Sequence, residues 1–291
     1  MKTNWRTLAL SVLIGSGIIA TSIFAVQYRA NEIKHPYSPN AAEFAGEATP
    51  LHVEDVRERF ERELIVNANL DASTLLIIKR SARFFPIIEP ILAKNGVPDD
   101  FKYLAVAESA LMNATSSAGA KGFWQFMPTT AKERGMEVTE FVDERYHVEK
   151  STEAACKYLL DAKRKFGSWT LAAASYNGGM AGVQKQMDIQ NETNYYDLLL
   201  TEETHRYVFR ILALKEVMKN PATYGFTFSA AELYKPIPTK KVVVDTTITD
   251  LVRFAKMQGI NYKTLKYHNP WLRDKKLPNL NRKPYEILIP Q

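Results

Sequence analysis

One glutamate in this 291-residue chain stands where acid–base chemistry is possible. Glu108 lies in the run LAVAESALM, from Leu104 to Met112. On a helix its neighbours three and four positions away are Leu104, Ala105, Leu111 and Met112, all apolar. An ionised carboxylate is costly to bury on such a face. Desolvation raises its pKa, which a general acid working near neutral pH requires. The plain alternative is a glutamate at a helix edge, reaching water or an ionic partner. Downstream, Ser116, Ser117, Gly119 and Gly122 form a turn-rich stretch where backbone can approach a ligand closely. Phe123, Trp124, Gln125, Phe126 and Met127 then gather large apolar groups around one amide. Aromatic faces with polar anchors suit sugars, although a core segment with Gln125 satisfied internally fits equally well. Further on, the run from Ala173 to Gly179 reads as a helix ending in glycines. Helix termination accounts for the glycines but not for Tyr176 and Asn177. The five histidines include no pair at ligand spacing, so neither a metal nor another cofactor is expected.

These residues need helices to position them, and the patterns supply helices. Val53, Val56, Phe60 and Leu64 recur at three- and four-residue steps. Val97-Pro98-Asp99-Asp100 opens a second helix, with Pro in its first turn and acids at its positive end. Residues 151–166 form a third, stopped by Gly167, and residues 204–218 a fourth, stopped near Asn220-Pro221. No comparable strand pattern appears there. Residues 30–50 mix Pro, Ser, Ala and Glu without periodicity and read as a tether. Beyond a linker at 226–240 the pattern changes. Residues 241–244 make a β-branched run, 249–257 and 261–268 two short helices, and 285–289 a closing strand. That order implies a small separate module.

Composition sets the compartment. A hydrophobic share of 46% and a charged share of 24% are those of an ordinary globular chain with a real core. Lys2 and Arg6 precede an uncharged apolar run from Thr7 to Val26, close to the ~20 residues that span a bilayer as a helix. A basic leader before such a run is an export signal. Residues 1–29 are therefore expected to be an uncleaved membrane anchor, with a cleaved signal as the alternative. Lys2 and Arg6 stay in the cytoplasm and the rest faces outward. The lone Cys156 can form no internal disulfide and reads as a buried thiol. A net charge of +6 fits anionic envelope polymers and membrane surface, and no nucleic-acid partner is expected.

Four ordered segments carry a resemblance. They are Glu108-Ser109; Gly122 to Pro128 (GFWQFMP); Ser175 to Gly179 (SYNGG); and Glu203 to Val208 (ETHRYV). Together they resemble the family 1 lytic transglycosylases, of the soluble-lytic-transglycosylase type, over roughly residues 97–218. The resemblance implies a mainly α, goose-lysozyme-like catalytic domain at 97–225, preceded by a helical lead-in at 51–96. It implies that Glu108 is the one catalytic carboxylate. Ser117 corresponds to a serine that orients the catalytic group and the N-acetyl substituent. Gln125, Met127, Tyr176 and Asn177 correspond to cleft residues, and Glu203 and Tyr207 to a motif that lines and supports the cleft. Phe123-Trp124 and Ser175 depart from the commoner Leu-Met and Ala, which bears on subsite detail. The implied substrate is the glycan strand of peptidoglycan, cleaved between N-acetylmuramic acid and N-acetylglucosamine with formation of a 1,6-anhydro sugar. No acid follows Glu108 until Glu133, which agrees with a single-carboxylate mechanism. A goose-type muramidase, which hydrolyses, and a non-catalytic wall-binding protein are the alternatives. Residues 241–291 resemble a degenerate LysM module, either glycan-binding or a structural cap. The expected location is the periplasmic face of the inner membrane, or the exported space if the leader is cleaved. Division or wall-synthesis partners are not specified by the sequence.

Overall fold

A computed structural model describes residues 36–291. The expected N-terminal span at residues 7–26 lies outside them. Among the described residues no helix is long and apolar enough to cross a membrane.

The described residues open with a hairpin at 42–49, where a tether was expected. Strands β1 (Ala42–Phe44) and β2 (Glu47–Thr49) pair antiparallel. Ala45 and Gly46 join them with φ of 54° and 79°, the two positive values of a type I′ turn. Phe44 enters the main core and meets Phe101 edge-on at 5.0 Å. The tether reading failed because three-residue strands are too short to show a period of two. Helices α1 (Glu54–Asn69) and α2 (Asp71–Lys94) follow, then α3 (Phe101–Ser109), α4 (Pro128–Glu133), α5 (Val148–Phe166), α6 (Trp169–Gly178), α7 (Met180–Gln190) and α8 (Glu202–Lys219).

Helix α3 starts at Phe101, not in the Val97–Asp100 run. Asp100 is drawn away from a capping role, accepting from Ala45 N–H and from Lys215 Nζ, each at 2.7 Å. Helix α8 is the axis of the domain. Tyr207, Val208, Phe209, Ile211, Leu212, Ala213, Leu214 and Val217 are all buried, so it is apolar nearly all round, as a central helix must be. It packs against α1, α3 and α6. Helix α6 is buried from Thr170 to Ser175, and its alanines allow close approach to α5 and α8. Glu47 of the hairpin caps it, accepting from the N–H groups of Trp169 (2.6 Å) and Thr170 (2.8 Å). Cys156 is buried on α5, where burial pushes its thiol up to about 12 and leaves it inert.

The C-terminal module contains β3 (Thr239–Val244), α9 (Leu251–Met257), α10 (Tyr262–His268) and β4 (Tyr285–Pro290). Strands β3 and β4 pair antiparallel, with Val242 opposite Ile287. Tyr285, Ile287 and Ile289 are buried and alternate with more open residues, the period of a one-sided strand. With Leu251, Ala255, Leu265 and Leu272 they form a second, smaller core.

Candidate active site

Glu108 occupies the last turn of α3. The helix stops one residue later, because Ala110 and Leu111 both take left-handed backbone with φ of 52° and 56°. Residues with a Cβ adopt that conformation at a cost of roughly 1–2 kcal/mol each, and such strain clusters at functional sites. The expectation of Leu111 and Met112 as helical neighbours of Glu108 is corrected accordingly. Leu111 is buried, whereas Met112 is 44% exposed. Leu104 and Ala105 are fully buried and do back the glutamate.

The carboxyl of Glu108 is half-buried and accepts a short hydrogen bond from the Tyr207 hydroxyl at Oε1. Burial raises its pKa to about 7, against the lowering effects of the Tyr207 bond and of the Arg210 charge; the charge of Glu203 adds a further upward push. Near neutral pH the group is thus available both as acid and as carboxylate. Burial, with the Glu108 charge next, holds the hydroxyl pKa values of Tyr176 and Tyr207 well above the usual range, so both act as neutral donors.

The loop from Ala114 to Met127 forms the wall beside Glu108, and its carbonyls anchor it. Phe123 O accepts from Ser109 Oγ at 2.8 Å, next to the glutamate. Trp124 O accepts from the Tyr176 hydroxyl at 2.8 Å. Gln125 has a left-handed φ of 48°, and its Nε2 donates to Gly122 O (2.7 Å) and Ala114 O (3.3 Å). Its amide nitrogen therefore serves the loop itself. Phe123, Trp124 and Phe126 are buried, and Trp124 Nε1 donates to Thr152 Oγ1 at 2.9 Å. These rings are core and not stacking platforms, which decides between the two readings of that run. Met127 is 43% exposed at the start of α4. Ser117 stands exposed on the turn that Ser116 closes and makes no hydrogen bond among the described residues.

Two segments distant in sequence complete the constellation. Asn177 Nδ2 donates to the exposed Glu203 at 3.1 Å, and Thr204 Oγ1 donates to Asn177 Oδ1 at 2.7 Å. Glu108 is thus bonded to Tyr207 and Asn177 to Glu203, while the Glu203 charge acts on Glu108 and the Glu108 charge on Tyr176, with Gln125 and Met127 on the adjoining loop. Ser109, Thr204 and Arg210 adjoin these groups; the first two lie inside the quoted motifs without a role assigned to them, and Arg210 was missed in the sequence. Ser109 and Thr204 carried a signal, since each adjoins a singled-out glutamate. Glu203 also qualifies the sequence argument for a lone acid, because α8 brings a second carboxylate within electrostatic reach of Glu108. A separate cleft of about 540 Å³ lies elsewhere, at the seam with the C-terminal module beside His147, Trp271 and Tyr285. It holds none of these groups.

Comparison with known proteins identifies two domains in the chain. Residues 85–199 match the Transglycosylase SLT domain. Residues 240–291 match the Soluble lytic transglycosylase C-terminal LysM-like domain. The chain is 28% identical over 242 residues to membrane-bound lytic murein transglycosylase D of Escherichia coli strain K12, and equally to that of strain O6:H1, a match covering 81% of this chain. It spans 52% of the length of those relatives. The protein thus carries a transglycosylase SLT domain followed by a LysM-like C-terminal domain, and is homologous to the membrane-bound lytic murein transglycosylases D.

Proposed function

We propose that the protein is a peptidoglycan lytic transglycosylase of the cell envelope with Glu108 as its acid and base. The observation that carries this reading is a half-buried carboxyl poised near pH 7 under a tyrosine hydroxyl, within an SLT domain. Protonated Glu108 donates to the glycosidic oxygen as the bond from muramic acid C1 breaks through an oxocarbenium-like state. The N-acetyl group of the sugar shares the positive charge. Tyr207 stabilises the carboxylate that forms. Glu108 then takes the proton of the C6 hydroxyl, whose oxygen closes on C1. The result is a 1,6-anhydro end, with no water consumed and Glu108 protonated again.

The remaining assignments follow the same reading. Ser117, Gln125 and Met127 contact the glycan from the loop, while Tyr176, Asn177 and Glu203 line the opposite side. An N-terminal anchor at residues 1–29 would hold the enzyme to a membrane, and the catalytic domain spans 97–225 within the boundaries given above. Glu203 supports a second reading: two carboxylates flanking one bond can activate water and hydrolyse. Mass spectrometry of digested sacculi separates the two. Muropeptides lighter by one water, with no reducible end, are expected; reducing ends would overturn the lyase reading in favour of hydrolysis. Glu108→Gln should lose about 10²-fold or more of the activity, and an unimpaired variant would remove Glu108 from the chemistry.

A further inference from the structure

The segment from Val138 to His147 belongs to two cores at once. Val142 and Tyr146 are buried among Trp271, Leu272 and Tyr285 of the C-terminal module. Asp143 N–H donates to Trp271 O at 2.9 Å, and Arg273 N–H donates to Phe141 O at 2.8 Å. Lys283 Nζ reaches Glu137 at 2.6 Å and Glu144 at 3.2 Å, and the Tyr285 hydroxyl donates to Glu137 at 2.9 Å. The module therefore grips this segment through backbone, ion pairs and apolar surface together.

The other side of the segment bears on the wall of the cleft. Arg145 is 3% exposed and is held by Asp143 through a two-pronged ion pair, Nε to Oδ1 and Nη2 to Oδ2, each 2.8 Å. Its remaining nitrogen, Nη1, donates to Gly119 O and Phe126 O, both at 3.2 Å. Backbone meets backbone at the same place: a Cβ on Gly122 would fall 1.8 Å from Arg145 O. The Tyr146 hydroxyl and Thr115 Oγ1 are 3.0 Å apart. The loop that Arg145 holds is the one whose Phe123 and Trp124 carbonyls are tied to Ser109 and Tyr176 beside Glu108.

A buried guanidinium fork is rigid, and leaving either partner of such a pair unmatched is strongly unfavourable. Its position is transmitted to the loop without slack. We propose that the C-terminal module is a working part of the catalytic cleft, clamping residues 138–147 so that Arg145, a positioning residue, sets the loop against Glu108. The inference rests on the reading of Glu108 as the catalytic acid. It assigns the module a role in turnover that does not depend on its binding glycan. Small misplacements of a cleft wall lower rates steeply, by as much as ~10²-fold for about 1 Å.

The test uses full-length variants. Lys283→Ala combined with Tyr285→Phe loosens the clamp and spares Arg145, whereas Arg145→Lys keeps the charge and removes the fork. Arg164→Ala, which breaks an exposed ion pair with Asp161 near the end of α5, is the control. Two quantities are read: kcat and KM on a soluble peptidoglycan tetrasaccharide, and amide hydrogen exchange of residues 119–126 without substrate. Both test variants should lower kcat by about tenfold with a smaller change in KM, and should speed exchange at 119–126 while leaving α1 protected. Arg164→Ala should match wild type in both. Unchanged kcat and exchange in the clamp variant, with loss confined to binding of sacculi, would overturn the proposal. If wild type itself shows no turnover, the enzymatic reading fails, and exchange alone decides the clamp: faster exchange upholds it and unchanged exchange refutes it.

Discussion

Replacing Tyr207 by Phe removes one hydroxyl and leaves the ring, at a position only 2% exposed, so little packing is disturbed. The hydroxyl donates to Glu108 Oε1 and lowers the glutamate pKa, against burial, which raises it. A hydrogen bond to a charged group contributes roughly 1.5–3 kcal/mol, and each pKa unit corresponds to about 1.36 kcal/mol. Loss of the bond should therefore move Glu108 upward by about one to two units from about 7. The sign for catalysis follows from the acid role proposed for Glu108. Activity requires the protonated carboxyl and falls as pH rises through its pKa, so the alkaline limb of kcat/KM should shift to higher pH. The plateau should drop at the same time by about 10- to 100-fold, because the carboxylate formed as the proton leaves has lost its donor. Rates of muropeptide release between about pH 5 and about pH 10 give both quantities. An alkaline limb that stays near 7 or moves down would refute the account of how Glu108 is poised.

Two further substitutions probe the frame around the site. Glu47 is pulled down to about 2; burial opposes this, and the donors from Thr170, Trp169 and Ser168 together outweigh it. Its contribution is present above the usual carboxylate pKa and is lost as pH falls toward 2. Glu47→Gln should cost about 1–2 kcal/mol at neutral pH, allowing for partial exposure, with the gap to wild type closing below about pH 4 in urea unfolding; a pH-independent gap would refute the capping role. Gly122→Ala drives a Cβ into the Arg145 carbonyl at a φ of 81°, whereas Gly119→Ala, at a φ of 89°, meets open space. The first should lose about 3 kcal/mol or more and the second only about 1–2 kcal/mol, and equal losses would show that the loop does not press on Arg145.

The helices were legible wherever one sequence face decides their burial. The Val56, Phe60 and Leu64 stripe of α1 and the glycine stop of α5 needed no tertiary information. Glu108, Tyr176 and Tyr207 were singled out through local motifs, although only the fold brings Tyr207 to Glu108, across 99 residues. What stayed hidden depends on distant partners. The hairpin at 42–49 is stabilised by Phe44 in the core and by Glu47 on a helix 122 residues away, and its own strands hold too few residues to announce themselves. The left-handed pair Ala110-Leu111 carries no glycine to mark it. The aromatic run at 123–126 had the composition of a sugar platform, and only the position of Thr152 and Phe84 turns its rings inward.

The placement of Glu108 at the end of α3 has a physical logic of its own. Carbonyls at a helix C-terminus present partial negative charge, which disfavours a carboxylate there and favours the neutral acid. Burial and the Glu203 charge push in the same direction. Tyr207 and Arg210, both on α8, push back. The poise near neutrality is thus a balance between burial at the end of α3 and the groups of α8, of which Glu203 raises the pKa and Tyr207 and Arg210 lower it. Any change in how α3 meets α8 alters both sides of that balance together. The left-handed turn at Ala110 and Leu111 ends α3 one residue after Glu108 and sends the chain directly into the loop beside it.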